Sequence, residues 1–438
     1  MSQPTIVIVG RPNVGKSTLF NRLAGYRKAI VDDEPGITRD RNFARFHWRG
    51  LDYLLIDTGG LEPEAREGLG LQVRRQIQVA MQEADLILFL VSAREGLTPL
   101  DLEIGRMLRR GVSKPIFLVI NKVDAERWER ESTEFLQLGF ARHFLVSAEQ
   151  GRGIGELLDA IGEALPRPAG EEVEEGMIRV AILGRPNVGK SSLLNRLLGE
   201  ERVIVSAEPG TTRDAVDTPF RYGPRSYLLI DTAGIRRAGK IEEPYERYAV
   251  IRALKSLERA DLALIVLDAT SGVTAQDCRI ASLAEEKGCS CLLLVNKWDL
   301  VPSSRGQEQD FGLAIRQQLR YLDYAPLLFV SALTGAGVEK VFPEVERVAQ
   351  EREKRVTTSS LNRVLQEATA SHQPPSWRGQ PARIFYATQL GQPPPTFLIF
   401  TDRPEAIHPS YRRYLVHKLR DAFEFRGSPI RLAFRRRE

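Results

Sequence analysis

Two stretches of the chain carry the same eight residues, and those residues can bind phosphate. GRPNVGKS occupies residues 10–17 and again residues 184–191. In the pattern G-x-x-x-x-G-K-S the glycines permit a tight turn, the lysine can reach phosphate oxygens and the serine can ligate Mg²⁺. A helix is predicted to start at each lysine, and its N-terminus attracts anions. Both stretches therefore predict a site for a nucleoside triphosphate.

The candidate residues follow directly from the two loops. The first loop comprises Gly10, Arg11, Pro12, Asn13, Val14, Gly15, Lys16 and Ser17. The second comprises Gly184, Arg185, Pro186, Asn187, Val188, Gly189, Lys190 and Ser191. Lys16 and Lys190 are the candidate catalytic cations, and Ser17 and Ser191 are candidate Mg²⁺ ligands.

A carboxylate ends the apolar segment YLLID in both halves of the chain. Asp57 and Asp231 begin the sequences DTGG and DTAG. Each carboxylate can hold the shell of a Mg²⁺ ion, and the last glycine can donate its N–H to a γ-phosphate. A loop ordered only by that phosphate acts as a switch. These segments add Thr58, Gly59, Gly60, Leu61, Thr232, Ala233, Gly234 and Ile235, with Gly60 and Gly234 as candidate catalytic groups.

The sequences NKVD (121–124) and NKWD (296–299) indicate the base. Guanine presents two adjacent N–H donors, which Asp124 or Asp299 could accept together. Adenine lacks this pair and would leave the carboxylate unpaired. We therefore expect GTP and GDP in both sites. The asparagines are expected to brace the loop or bind N7, and the lysines to pack along the base. The candidate residues are Asn121, Lys122, Val123, Asp124, Asn296, Lys297, Trp298 and Asp299.

These motifs recur at an offset of 174 or 175 residues, which indicates duplication of a whole domain. Within each copy, continuous apolar runs such as TIVIVG and RVAILG alternate with helical patterns. This alternation is typical of an α/β fold, a mostly parallel sheet with helices on both faces. We expect phosphate-binding domains at 1–165 and 177–350, an acidic linker at 166–176 and a basic α+β domain at 351–438, with helices at 358–369 and 410–423 and strands at 382–389, 396–401 and 429–435.

Charge is concentrated in the last fifth of the chain. Residues 352–438 hold 16 Lys and Arg against 7 Asp and Glu, a net +9, whereas residues 1–351 carry a net −4. A basic module on a nearly neutral body indicates a polyanionic partner, although a solvated arginine-rich surface is the alternative.

At 438 residues with 42% apolar and 27% charged residues, the chain is expected to be globular. We expect no leader peptide, no membrane span, no structural zinc and a reducing compartment for its three cysteines.

In the type and order of its motifs the whole chain resembles the bacterial Der (EngA) family of tandem GTPases. The resemblance implies slow GTP hydrolysis, a KH-like C-terminal domain and a cytoplasmic role in assembly of the large ribosomal subunit. It implies binding to rRNA or the ribosome controlled by the switch loops, no membrane or DNA partner, and a monomer when free. Thr38 and Thr212 would be switch threonines that contact Mg²⁺ and the γ-phosphate. A further guanine-contacting loop would hold Ser147, Ala148, Ser331 and Ala332.

Two features of the chain depart from common patterns. Leu61 and Ile235 stand where Ras-like GTPases place a water-orienting glutamine. By resemblance to related GTPases, Asn13 and Asn187 could instead coordinate K⁺, so we expect K⁺-stimulated hydrolysis. Loop capping is the alternative role for both asparagines, and the residue that positions water stays open.

The C-terminal domain lacks the GxxG loop that clamps nucleic acid in KH domains. Its candidate RNA contacts are Arg412, Arg413, Lys418, Arg420, Arg435, Arg436 and Arg437. We expect its aromatic residues to be core, namely Phe385, Tyr386, Phe397, Tyr411, Tyr414 and Phe423.

Two other functions of the whole chain remain open at this point. One is an RNA-binding scaffold without turnover, and the other is a GTPase acting on a membrane or protein cargo.

Overall fold

The computed structural model provides the structure of most of the chain. It describes residues 4–26, 43–58, 77–78, 80, 83–111, 114–165, 177–199, 203–205, 217–232, 246–302, 307–374, 376–377, 380–391 and 393–436. The predicted linker, 166–176, lies outside the described residues. The chain divides into two units, Met1–Glu172 and Val173–Glu438.

The first unit contains a six-stranded sheet whose strands are β1 (Thr5–Val9), β2 (Phe43–Trp48), β3 (Leu51–Asp57), β4 (Leu86–Ser92), β5 (Ile116–Asn121) and β6 (Arg142–Leu145). Their order is β2-β3-β1-β4-β5-β6, and only the β2–β3 pair is antiparallel. Strands β1 and β4 are buried along their whole length, which explains their continuous apolar sequences.

Helices of the first unit connect and cover these strands. They are α1 (Lys16–Ala24), α2 (Pro99–Gly111), α3 (Glu126–Glu131) and α4 (Ile154–Ala164). Leu19 and Leu23 of α1, with Leu157 and Ile161 of α4, join Ile8 of β1 in one core cluster. A 3-10 turn, Ala93–Glu95, follows β4 and leads toward α2.

The second unit begins with a seven-stranded sheet. Its strands are β7 (Ile178–Leu183), β8 (Val203–Val205), β9 (Thr218–Tyr222), β10 (Arg225–Ile230), β11 (Leu262–Asp268), β12 (Ser290–Asn296) and β13 (Leu327–Phe329). The order β13-β12-β11-β7-β10-β9-β8 repeats the first sheet strand for strand, with β8 added beyond β9. Strand β9 is antiparallel to both neighbours, and the other pairs are parallel. The predicted duplication and α/β class are confirmed.

Two core clusters lie in this second domain. Its helices are α5 (Lys190–Leu198), α6 (Glu246–Arg259), α7 (Ala275–Glu286), α8 (Gln307–Gln318) and α9 (Val341–Glu353). One cluster includes Leu194 of α5 and Val345 of α9, and the other includes Leu257 of α6 and Ile280 of α7. Alternate residues of β11 enter the two clusters, so both faces of this parallel sheet are covered.

The C-terminal module is a small α+β unit. Its elements are α10 (Thr358–Ser371), β14 (Ser376–Trp377), β15 (Gln380–Pro381), β16 (Ile384–Gln389), β17 (Thr396–Thr401), α11 (Pro409–Phe423) and β18 (Arg431–Arg436). Strand β17 is central, antiparallel to β16 and parallel to β18. Phe397 and Ile399 of β17 pack with residues of α10 and α11 in its core. The predicted helices and three longer strands are all present, with no bound shifted by more than two residues.

The C-terminal module is docked on the second domain through residues 423–428. The amide of Gly427 donates to the carbonyl oxygen of Tyr324 at 2.9 Å, and the amide of Cys291 donates to the carbonyl oxygen of Gly427 at 2.7 Å. Nε of Arg426 lies 2.7 Å from Oε1 of Glu344. Cys291 lies at the amino-terminal end of β12. This contact is therefore at the amino-terminal ends of the parallel strands, whereas the phosphate loop is at their carboxyl ends.

Candidate nucleotide-binding sites

Each phosphate loop ends in a glycine that no other residue could replace without strain. Gly15 precedes α1 with a φ of 97°, and a Cβ there would lie 2.4 Å from Nδ2 of Asn121. Gly189 precedes α5 with a φ of 93°, and a Cβ would lie 2.4 Å from Nδ2 of Asn296. Positive φ and close approach both favour glycine. The two loops therefore enter their helices in the same way.

The lysine of each loop folds back across it. Nζ of Lys16 donates to the carbonyl oxygens of Gly10 and Arg11 at 2.7 and 2.9 Å. Nζ of Lys190 donates to the corresponding carbonyl oxygens of the second loop at 2.8 and 2.7 Å. Both ammonium groups therefore lie at a helix N-terminus, where the helix dipole adds to their attraction for phosphate.

The oxygen atoms at the start of α1 suit a hard divalent cation. Oγ of Ser17 donates to Oδ2 of Asp57 at 2.8 Å, and Asp57 is buried at the end of β3. Hydroxyl and carboxylate oxygens are ligands that Mg²⁺ prefers. Ser191 in α5 and Asp231, directly after β10, occupy the equivalent positions of the second copy. The residues present thus fit the predicted metal in chemistry.

A buried asparagine ties three loops together in each copy. Asn121 donates from Nδ2 to the carbonyl oxygen of Val14 at 2.9 Å and accepts at Oδ1 from the amide of Ala148 at 3.0 Å. Asn296 makes the equivalent bonds to Val188 and Ala332 at 2.8 and 2.9 Å. Of the two roles expected for these residues, bracing the loop is the one that their side-chain amides perform here.

The base-selecting carboxylate of the first copy is already oriented. Oγ of Ser147 donates to Oδ1 of Asp124 at 2.6 Å. The Arg94 guanidinium donates to the other carboxylate oxygen. The Ser147 hydroxyl, together with Arg94, holds the pKa of the Asp124 carboxyl below its ordinary value. Asp124 is therefore ionised at neutral pH and acts only as an acceptor.

The second copy has an open cleft at the corresponding place. The cleft measures about 680 Å³. It is lined by the phosphate loop, α5 and both base-recognition segments, including Gly189, Asn296, Lys297, Asp299 and Ala332. Trp298, predicted as a site residue, instead packs its ring on Phe329 and Phe311, with centroids 4.3 and 5.5 Å apart. Its side chain therefore anchors the loop from the core side.

The lysines of the NKxD motifs are held by carboxylates in both copies. Nζ of Lys122 lies 2.6 Å from the carbonyl oxygen of Asn13 and 2.9 Å from Oε1 of Glu95. Nζ of Lys297 lies 2.7 Å from Oδ2 of Asp268. Glu95 ends the 3-10 turn after β4, whereas Asp268 is the last residue of β11, so the two sites hold an equivalent lysine in different ways.

Sequence reasoning missed several residues that support the site. Arg22 and Arg196, in the last turns of α1 and α5, donate from Nε to the carbonyl oxygens of Ala148 and Ala332 at 2.8 and 3.3 Å. Both belong to the repeated sequence NRL, and that identity between the copies was the available signal. Asp101 was also missed, and its buried carboxylate accepts from Nε of Arg11, a predicted site residue, at 3.2 Å.

Some predicted site residues lie outside the described part of the chain. They are Thr38, Gly59, Gly60, Leu61, Thr212, Ala233, Gly234 and Ile235. Thr58 and Thr232 are described and buried at the ends of β3 and β10. Val14, Val123 and Val188 are buried beneath the loops, and Pro12 and Pro186 lie within the turns.

The C-terminal predictions need two corrections. Arg420 is not an exposed cation, because its guanidinium donates to the carbonyl oxygens of Phe425 and Ser428 and lies 4.2 Å from the ring centroid of Tyr324. Phe385 and Tyr386 are not core residues, since they are 40% and 42% exposed. Of the other candidates, Arg437 lies outside the described residues, and the exposed ones are Arg412, Arg413, Lys418, Arg435 and Arg436.

Comparison with known proteins identifies both repeated domains and the C-terminal module. The family described as "50S ribosome-binding GTPase" matches residues 5–122 and 179–297. The family described as "KH-domain-like of EngA bacterial GTPase enzymes, C-terminal" matches residues 355–435. None of the helices in the described part of the chain is long and apolar enough to cross a membrane.

Curated relatives match along their entire length. The chain is 51% identical to GTPase Der of Geotalea daltonii, covering 100% of this chain and 99% of that protein. It is 52% identical to GTPase Der of Moorella thermoacetica with the same coverage. Among solved structures it is similar to Era in complex with MgGDPNP and a segment of 16S ribosomal RNA, at 21% identity and a TM-score of 0.31 over 76% of this chain and 92% of that one. The two repeated phosphate-binding domains, the KH-like module and these full-length relatives establish that the chain belongs to the GTPase Der family and is a GTPase.

Proposed function

We propose that both repeated domains bind GTP or GDP with Mg²⁺ and that both hydrolyse GTP. The observation that carries this proposal is the equivalence of the two sites. In each, a glycine-dependent loop, a lysine folded across that loop and a buried asparagine joining three loops occur together. A degenerate site would be expected to lose at least one of these features. The domain limits 1–165, 177–350 and 351–438 belong to the same proposal.

The proposed Mg²⁺ would be held by Ser17 and Asp57 in the first site and by Ser191 and Asp231 in the second. Thr38 and Thr212 are the proposed switch ligands. When bound, Mg²⁺ would neutralise charge that develops on the phosphate oxygens. Lys16 and Lys190 would supply a second positive charge on the same oxygens from the protein itself.

A phosphate-release assay separates an enzyme from a nucleotide-binding scaffold. Lys16→Ala and Lys190→Ala should each abolish turnover at one site, and the double variant should fall to background. Each single loss is expected to be about a hundredfold at its own site. No phosphate release above background by the parent chain would favour the scaffold function. A full rate in the double variant would show that hydrolysis does not take place at these two sites, and either result would overturn the proposal.

We propose that K⁺ stimulates this hydrolysis through Asn13 and Asn187. Both residues adopt a left-handed backbone, with φ of 64° and 63°, and both are exposed at the tip of their loop. Neither carboxamide donates or accepts a hydrogen bond among the described residues, so both oxygens are available for an ion. Equal hydrolysis rates in KCl and NaCl would contradict this role and leave loop geometry as the function of the asparagines.

We propose that the partner is the large ribosomal subunit, contacted through rRNA during its assembly in the cytoplasm. The basic C-terminal module supports this, as does the description of the matched family as ribosome-binding. Exposed Arg412, Arg413 and Lys418 on α11 are suited to phosphate contacts.

The outer face of the C-terminal sheet could also hold an unpaired base. The rings of Tyr386 and Phe400 are stacked with centroids 4.4 Å apart, and Tyr386 is exposed. Arg435 is the neighbour of Phe400 on β18 and makes no ion pair with a described residue. Base stacking on aromatic rings beside arginine is a recurrent mode of RNA binding, and it needs no GxxG loop.

Co-sedimentation tests the partner and its control by nucleotide. The chain should pellet with isolated large subunits in a non-hydrolysable GTP analogue and less well in GDP. Small subunits and lipid vesicles in the same assay are the controls. Pelleting with vesicles but not with subunits would favour a GTPase that acts on a membrane cargo.

A further inference from the structure

Arg94 distinguishes the first nucleotide site from the second. It lies in the 3-10 turn after β4, and its guanidinium donates to Oδ2 of Asp124, the carboxylate expected to read guanine. Oδ1 of the same carboxylate accepts the hydroxyl of Ser147 at 2.6 Å. The Asp124 side chain is only 13% exposed, whereas that of Arg94 is 52% exposed. The Asp124 carboxylate is thus held in place by Ser147, and the exposed Arg94 guanidinium is free to leave it.

From this contact we propose that Arg94 competes with guanine for Asp124 and lowers the affinity of the first site for guanine nucleotides. The inference rests on the proposed binding of guanine at that site. The edge of guanine presents N1–H and the exocyclic N2–H₂ as adjacent, coplanar donors. A guanidinium group presents the same N–H fork, so the carboxylate geometry that suits one suits the other. A bidentate guanine therefore needs the oxygen that Arg94 occupies.

The second copy lacks this competitor. The sequences SAREGLTPLD (92–101) and DATSGVTAQD (268–277) align without a gap, and Thr270 stands at the position of Arg94. The structure supports that register, because Ser92 is the strand partner of Asn121 and Asp268 is the strand partner of Asn296.

Thr270 is engaged within its own turn. Its amide and its hydroxyl both donate to Oδ1 of Asp268, at 2.9 and 2.6 Å. Asp299 makes no ion pair with any residue in the described part of the chain. Guanine can therefore approach Asp299 without displacing a cation, and the two sites should bind the same nucleotide with unequal affinity.

Exchanging the two residues tests the proposal in the full-length chain. A fluorescent GDP analogue would be titrated against the first site with Lys190→Ala present, and against the second site with Lys16→Ala present. In the first background, Arg94→Thr should tighten binding about twofold to fivefold, the range for losing one exposed ion pair. In the second, Thr270→Arg should weaken binding by a similar factor. The gain from Arg94→Thr should shrink at high salt, which screens the competing pair.

Matched variants separate competition from other effects. Arg110→Thr removes an exposed arginine on α2 and should change neither titration. Arg94→Gln keeps most of the side chain without its charge and should also tighten binding, which covers the case in which Arg94→Thr fails to fold. Unchanged or weaker binding by a folded Arg94 variant would overturn the proposal, and weaker binding would mean that Arg94 assists the nucleotide. If the parent chain bound no GDP at the first site, the proposed function itself would fail, and that result is visible before any exchange is made.

Discussion

Nδ2 of Asn121 lies 2.9 Å from the carbonyl oxygen of Val14, so the loop that selects the base is hydrogen-bonded to the loop that binds phosphate. Asn296 and Val188 repeat this relationship at 2.8 Å. The first prediction concerns this bond. Asn121→Ala would leave two buried backbone groups without partners, at about 1–3 kcal/mol each. GDP affinity at the first site should fall about tenfold or more in a calorimetric titration with Lys190→Ala present. Asn21→Ala, an exposed asparagine on α1, is the control and should have no effect.

A second prediction tests the docking of the C-terminal module. Gly427 has a φ of 71°, and a Cβ there would lie 2.5 Å from Cγ2 of Val348. Gly427→Ala should lower the free energy of unfolding by about 2–4 kcal/mol, combining backbone strain with overpacking. Urea unfolding measures this loss. Gly223→Ala is a matched control, because Gly223 also has a positive φ but nothing within 4 Å of its Cβ position. A loss no larger than the control's would show that Val348 accommodates the methyl group.

The third prediction concerns pH. Burial raises the pKa of the Cys289 thiol to about 12, against about 8.5 in an unfolded chain. Between these values the unfolded chain releases a proton that the folded chain keeps, so stability falls as the pH rises. The contribution of Cys289 is complete below pH 8.5 and declines by about 1.4 kcal/mol per pH unit above it. Cys289→Ala should therefore show a shallower loss of stability between pH 9 and 11 in urea unfolding. Parallel curves for the two proteins would contradict the burial of this thiol.

The fourth prediction concerns RNA. Tyr386→Ala should weaken binding to a single-stranded RNA by about 1–3 kcal/mol, the range for one stacked base. Its dependence on salt should stay unchanged, because no phosphate contact is lost. Arg435→Ala should instead reduce the slope of affinity against salt. Filter binding at several KCl concentrations measures both effects, and Leu313→Ala, which removes another exposed apolar side chain, is the control. A lower salt slope for Tyr386→Ala would show that its loss disturbs phosphate contacts.

The fold and the two nucleotide sites could be predicted because each motif carries its own local geometry. A glycine-rich loop between an apolar strand and a helix has few ways to fold, and the duplication provided a second example of each. The ion pair between Arg94 and Asp124 could not be predicted, because it joins two loops that only the folded sheet brings together.

The predictions that were wrong for the C-terminal module failed for equally specific reasons. A register shift between Ile384 and Tyr386 interrupts the alternation of β16 and leaves Phe385 and Tyr386 both exposed. The contact of Arg420 with the second domain could not be predicted, because a helical pattern alone does not reveal which side meets a neighbouring domain.

Strand β12 connects two distant contacts of the second unit. Its seven residues are all buried, and they span about 23 Å at 3.3 Å per residue. Cys291 at one end bonds to the C-terminal module, and Asn296 at the other end bonds to the phosphate loop. A buried central strand of this kind has no hinge, so it works as a rigid spacer between the basic surface and the second nucleotide. Exchange of that nucleotide should leave the distance between the second site and the basic surface constant. The second domain and the C-terminal module should therefore move as one rigid body.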